Sequence, residues 1–112
     1  MKLSVYMITC NEAARLERTL AQAAKVADEI VVVDSGSTDA TMKIAESFGA
    51  KTFFHGWKSY CDQKHYAEGL CANDFVLMLD ADEVLSDALV DEILKIKQIG
   101  TKYRAYNVKI AN

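Results

Sequence analysis

Apolar residues in this chain fall into short unbroken runs, separated by stretches in which they recur every three or four positions. Leu3-Ser-Val-Tyr-Met-Ile8 is suited to a buried strand. Asn11 is a good helix N-cap, and Leu16, Leu20, Ala23 and Ala24 follow it at helical spacing. Glu29-Ile-Val-Val-Val-Asp34 is an uninterrupted β-branched run, as in a parallel sheet covered on both faces. Ser35 to Thr38 reads as a turn, Asp39 to Phe48 as a short helix ended by Gly49, and Lys51 to Phe54 as a third strand. A helix from about Ser59 to Leu70 leads into the strand Phe75 to Leu79. A further helix from about Ser86 to Lys97 puts Leu89, Val90, Ile93 and Leu94 on its core side, and Tyr103 to Ile110 alternates as a fifth strand.

Strands alternating with helices predict an α/β fold with a mainly parallel sheet. In open sheets of this kind ligands bind at the carboxyl ends of the strands. Those ends are polar and acidic here. Thr9-Cys-Asn-Glu12 follows the first strand, Asp34 ends the second, and Asp80-Ala-Asp82-Glu83 follows the fourth. Asn11, Ser37, Thr38 and Asp39 each have a local use as caps or first-turn residues. Three acidic ends on one rim exceed what capping needs, because like charges repel unless a cation or hydrogen-bond donors offset them. A functional cleft is expected there.

Composition narrows the class without naming a chemistry. The 112 residues are 51% apolar and 26% charged, with no proline and a net charge of −3, which fits one globular domain. No apolar run approaches the about 18 residues needed to cross a bilayer, and the N-terminus lacks a signal-peptide plan, so a cytoplasmic protein is expected. Residues 1–56 carry six bases and seven acids and residues 57–112 seven and nine, so neither half suits nucleic acid. Locally the balance breaks. Seven acids and no base lie between Asp74 and Glu92, then five bases and no acid between Lys95 and Asn112. Cys10, Cys61 and Cys71 form no CxxC pair, and with His55 and His65 they match no zinc spacing, so reduced thiols are expected.

Asp80 and Asp82 lie two apart where a strand ends, so in extended chain both would point to one face. Paired carboxylates suit a hard divalent cation, Mg²⁺ or Mn²⁺, whose shell is completed by phosphate oxygens and water. Such an ion makes chemical sense where a diphosphate leaves. A dinucleotide-dependent oxidoreductase also fits the alternation, but no GxGxxG follows the first strand.

The segments ITCNEAARLERTL, EIVVVDSGSTDAT and DFVLMLDADE, in this order and spacing, resemble the family 2 glycosyltransferases of GT-A fold. The chain looks most like the subgroup that adds hexoses to the lipopolysaccharide core or related bacterial glycans. The resemblance runs from Leu3 to about Leu94. It implies that Thr9, Asn11 and Glu12 border a nucleotide base, and that Asp34 contacts the uracil or ribose beside the turn begun by Ser35. Asp39 then supports that turn as a cap. In the segment from Asp80 through Ala81 to Glu83, Asp80 would face ribose and metal, and Asp82 would coordinate the metal bridging the diphosphate. Gln63-Lys64-His65-Tyr66-Ala67 resembles a family helix segment in which a base precedes Asn and Ala. Lys64 is therefore expected toward the donor, with a solvent-facing lysine as the alternative, and His65 departs from the family's Asn. Trp57 is read as packing, with sugar stacking as the alternative.

The resemblance implies metal-dependent, inverting transfer of a hexose from a nucleoside-diphosphate sugar, UDP-glucose foremost, to a glycan or lipid-linked saccharide. A carboxylate base would deprotonate the acceptor hydroxyl. In the family that base lies beyond the acidic motif, and no acid follows Glu92 here. The expectation is a donor-binding part truncated after about five strands, its base beyond Asn112; a noncatalytic nucleotide-sugar-binding module is the alternative. The basic segment from Lys95 to Lys109 could approach an anionic membrane surface at the cytoplasmic face of the inner membrane, ordinary surface lysines being the alternative.

Overall fold

Among the described residues four parallel strands form the sheet: β1 (Leu3–Thr9), β2 (Glu29–Asp34), β3 (Lys51–Phe54) and β4 (Phe75–Met78), in the order β3-β2-β1-β4. Between and after them run α1 (Ala13–Ala23), α2 (Thr41–Ser47), α3 (Tyr60–Gly69) and α4 (Asp87–Ile99). The computed structural model describes residues 1–99. The expected strand from Tyr103 to Ile110 lies outside the described residues.

Strand alternation divides the core between two faces. Leu3, Val5 and Met7 of β1 join Ile30 and Val32 of β2 against Leu16, Leu20 and Ala23 of α1, Ala45 of α2, and Val90 and Ile93 of α4. Tyr6, Val31 and Val33 turn the other way and pack on Ala67 of α3, with Ile8, Phe53 and Met78 around them. Both faces of the central strands are thus covered, as the unbroken Ile30 to Val33 run requires. From β1 the chain steps to β2 and β3 with helices on one face. It then returns across the opposite face through α3 to place β4 on the other side of β1. The order reverses between β1 and β4, and that is where such sheets open a crevice.

Three element ends differ from the sequence reading. Asn11 does not cap α1: the residue before that helix is Glu12, without a side-chain cap bond, and Asn11 sits at φ 53°. Its side chain is engaged across the rim instead. α2 starts at Thr41 rather than Asp39, whose carboxylate accepts from the Thr41 backbone N–H (3.0 Å) and hydroxyl ahead of the first turn. β4 closes at Met78, although the Leu79 N–H still donates to the Tyr6 carbonyl (3.0 Å). α3 begins as expected, with the Ser59 hydroxyl accepting from Asp62 N–H at 3.1 Å.

Among the described residues no helix is long and apolar enough to cross a membrane. Lys97, counted above in the basic segment, is tied to the body of the domain by the Asp28 carboxylate (2.7 Å) and the Val26 carbonyl (2.6 Å). The membrane reading therefore loses one of its bases.

Candidate functional site

The sequence pattern places chemistry at the carboxyl ends of β1 and β2 and after β4, and each end is held by a separate device. At the end of β2, Asp34 is buried and its two oxygens meet four donors. Thr9 Oγ1 (2.8 Å) and Ser37 Oγ (2.5 Å) donate to one, Gly36 N–H (2.9 Å) and Ser37 N–H (2.6 Å) to the other. Burial alone would push this carboxyl up, but the Ser37 hydroxyl and N–H, the Gly36 N–H and the Thr9 hydroxyl outweigh it and hold Asp34 below the usual range. A carboxylate offers about four lone-pair directions, so Asp34 shapes the turn with its whole capacity.

The turn after it depends on Gly36, at φ +127°. A Cβ there would meet only Phe54 Cε2 at 3.9 Å, so space is not the constraint and backbone conformation is. Gly36→Ala is expected to cost about 1–3 kcal/mol of stability through that strain, read as a lower urea midpoint with an unchanged m-value.

Across the rim, Asn11 clasps the same turn: its Oδ1 accepts from Thr38 N–H (2.8 Å), and its own N–H donates to Ser37 Oγ (2.8 Å). Asn is among the few residues that tolerate this left-handed backbone. Asp39 closes the clasp by accepting from Ala13 N–H (3.2 Å) and from Thr41. It acts as the supporting cap, and the Thr41 hydroxyl foremost holds its carboxyl below the usual range. Glu12 N–H is bound by Thr41 Oγ1 at 2.9 Å.

After β4 the chain is not extended. Glu83 N–H donates to the Asp80 carbonyl (2.9 Å), making a tight turn, so Asp80 and Asp82 project from a turn rather than from one strand face. Helix α1 positions this turn: Thr19 Oγ1 donates to the Ala81 carbonyl (2.6 Å) and Gln22 Nε2 to the Leu85 carbonyl (2.8 Å). Glu83 folds back so that its Oε1 accepts from Asp80 N–H (2.9 Å). Burial, together with the neighbouring Asp80 and Asp82 carboxylates, pushes the Glu83 carboxyl up.

These ends meet at one cavity of about 640 Å³ at the β1/β4 reversal, walled by Ile8, Thr9, Cys10, Glu12, Ser35, Trp57, Tyr60, Gln63, Asp80, Ala81 and Asp82. Thr9, Glu12, Ser35, Asp80, Ala81 and Asp82 are thus brought together. Asn11, exposed, and Asp34, buried under the turn, are not among the lining residues. Lys64 lies 5.5 Å above the Tyr60 ring rather than on the wall itself. His65 is exposed on α3. Trp57 corrects the sequence reading: it is 56% exposed and walls the cavity instead of packing in the core. Tyr60 and Gln63, one turn apart on α3, were missed, although Ser59 as the cap fixes the phase of that helix. Cys10, Cys61 and Cys71 are all free thiols.

The donor set suits a hard divalent ion in part. Asp80 and Asp82 both bring carboxylates to the cavity lining; Glu83 is raised by burial first and then by these two carboxylates, and a cation would offset only the second cause. Among the described residues no group of three or more His, Cys, Asp or Glu converges on one point. Two carboxylates with the remainder supplied by phosphate and water is the arrangement Mg²⁺ favours.

Comparison with known proteins identifies the family and the fold. An uncharacterized glycosyltransferase of Rickettsia bellii is 50% identical over 111 residues, 97% of this chain and 38% of the relative. The lipopolysaccharide core biosynthesis glycosyltransferase LpsC of Rhizobium meliloti is 35% identical over 94 residues, 80% of this chain and 34% of that protein. The chain therefore spans between a third and two-fifths of the length of these curated relatives. Among solved structures, S. aureus TarS 1-349 in complex with UDP-GlcNAc superimposes with a TM-score of 0.67 at 27% identity, over 88% of this chain and 32% of the TarS 1-349 chain. Glucosyl-3-phosphoglycerate synthase of Mycobacterium tuberculosis shares the fold, with a TM-score of 0.70 at 23% identity over 88% of this chain and 40% of that one. The fold is GT-A. With the pattern described as Glycosyl transferase family 2 matching residues 4–103, the chain belongs to that family.

Proposed function

We propose that the chain is the donor-binding part of a metal-dependent, inverting hexosyltransferase. Its donor is a nucleoside-diphosphate sugar, UDP-glucose foremost, and its acceptor a bacterial cell-surface glycan or lipopolysaccharide core saccharide. The observation that carries this reading is the convergence of Asp80 and Asp82 with Thr9, Glu12 and Ser35 on one cavity at the reversal of the sheet. UDP-GlcNAc bound by TarS and the core biosynthesis role in the name of LpsC support the donor and acceptor classes.

Within this reading Asp80 and Asp82 hold Mg²⁺ or Mn²⁺, which when bound supplies positive charge to a departing diphosphate. Thr9, Glu12 and Ser35 line the part of the cavity at the ends of β1 and β2, where the nucleoside would lie. The Asp34 turn and the Asn11 clasp keep that side in register with the acidic turn. Trp57 and Tyr60 offer aromatic faces to an apolar sugar face, and Lys64, over Tyr60, adds positive charge near a dianionic donor. Transfer at the cytoplasmic face of the inner membrane fits the acceptor class.

UDP and Mn²⁺ together are expected to raise the melting temperature by several degrees, because a ligand that binds only the folded state stabilises it by mass action. Asp82→Ala should abolish the Mn²⁺-dependent part of the shift and leave the unliganded melting temperature nearly unchanged, since Asp82 is exposed. No shift in the wild-type chain, or an undiminished Mn²⁺ effect in the variant, would overturn the reading.

A further inference from the structure

We infer that Gln63 supplies this cavity with a neutral hydrogen-bond acceptor for a single N–H or O–H group of the bound nucleotide sugar; the inference rests on the donor-site reading above. Gln63 is fully buried and lies on the cavity wall one turn after Tyr60. Its Nε2 donates to the His55 carbonyl at 2.9 Å. A carbonyl can only accept, so the amide nitrogen must face His55 and the amide oxygen must face away.

The anchor is fixed. His55 N–H donates to the Asp34 carbonyl (2.9 Å), the His55 ring stacks on Tyr66 with centroids 3.9 Å apart, and its Nε2 meets Asp62 Oδ2 at 2.9 Å. The amide is thus locked in one orientation while its Oε1 is buried with no partner among the described residues. Buried side-chain acceptors are seldom left this way. Of the other side-chain acceptors on this wall, Glu12, Asp80 and Asp82 are carboxylates and Thr9, Ser35 and Tyr60 are hydroxyls that can donate as well, whereas the amide oxygen is neutral and only accepts. The oxygen is covered in the unliganded chain, so a ligand reaches it by displacing part of the wall. Trp57 and Tyr60, 56% and 46% exposed, are its exposed aromatic members.

The test is calorimetric binding of UDP, UDP-glucose and CDP, each with Mn²⁺, to the wild-type chain and to Gln63→Met, which keeps side-chain length and removes the amide. The expected result is a Kd weakened about tenfold, the size of one net hydrogen bond. Weakening for UDP and UDP-glucose but not CDP assigns the contact to the uracil imide, which cytosine lacks. Weakening for UDP-glucose alone assigns it to a sugar hydroxyl, and equal weakening for all three to the ribose. If Gln63→Met does not fold, Gln63→Asn, which draws the amide back by one methylene, is expected to weaken binding in the same pattern. Wild-type binding with unchanged affinities in the folded variant overturns this inference alone. Failure of the wild-type chain to bind any of the three overturns the donor-site reading and the inference with it.

Discussion

Asp34→Asn is expected to lose about 3 kcal/mol or more of stability, and its melting temperature to fall by roughly 10 °C or more. The substitution keeps shape and volume but changes what the side chain offers to four donors. One oxygen can still accept from Thr9 Oγ1 and Ser37 Oγ, or from the N–H groups of Gly36 and Ser37, but not from both pairs. With its oxygen kept on the two N–H groups, its NH₂ faces the Thr9 and Ser37 hydroxyls, which can accept from it only by turning their own protons away from their former carboxylate partner, in a residue that is 3% exposed. Buried groups left without partners cost about 1–3 kcal/mol each. The acid limb of the stability curve should change as well. Because the folded carboxyl lies below its ordinary value, its contribution is present above the unfolded carboxylate pKa and fades as pH falls through the folded one. The Asn variant should lack that contribution at every pH, so the two curves converge in acid. Nucleotide binding should weaken too, since Ser35 and the turn that Asn11 clasps lose their anchor. Urea unfolding across pH, with UDP binding measured at neutral pH, checks all three; a variant of wild-type stability would show that Asp34 does not hold the turn.

Periodicity carried the strands and helices, because it reports burial, and burial here is set by position along each element. Val31 and Val33 could face only one side of the sheet and Ile30 and Val32 only the other. The carboxyl ends of the strands, which the same periodicity fixes, border the cavity. What periodicity does not carry is who holds whom across the rim. Asn11 looks like a cap for the helix that follows it, yet its partners are Ser37 and Thr38, 26 and 27 residues away. Asp80 and Asp82 could be paired by spacing, but the turn between them closes through a backbone bond to Glu83, for which the residue types carried no distinct signal. Trp57 was read as packing because large aromatics usually bury, whereas the loop after β3 leaves it on the wall of the cavity. Gln63 stood in a motif singled out for its neighbour Lys64. Its own role depends on an amide orientation that only the His55 carbonyl fixes.

Glu29→Ala is expected to cost about 2–3 kcal/mol, from the loss of several charge-assisted hydrogen bonds, while leaving the Kd for UDP in the folded state unchanged. Glu29 begins β2, at the end of the sheet opposite the cavity. Its carboxylate accepts from Lys51 Nζ (2.7 Å), Ser4 Oγ (2.7 Å) and the Ala72 N–H (2.8 Å), and so joins the starts of three strands. The Lys51 ammonium first, then the Ala72 N–H and the Ser4 hydroxyl, outweigh partial burial and hold the carboxyl down at about 2, against an ordinary 4.5. The sign follows directly. An unfolded chain takes up the proton at higher pH than the folded one does, so this contribution is whole above about pH 4.5 and drains away as pH falls toward 2. The Ala variant should therefore show its deficit at neutral pH and close on the wild type in acid. Added salt should narrow the difference only in part, because it screens the exposed Lys51 partner but not the neutral donors. Asp34 and Glu29 thus predict similar acid limbs with different consequences: both carboxylates hold the fold, and only the one at the carboxyl ends of the strands should alter nucleotide affinity. Equal loss of UDP binding in the two variants would mean that affinity tracks global stability rather than the geometry of the rim.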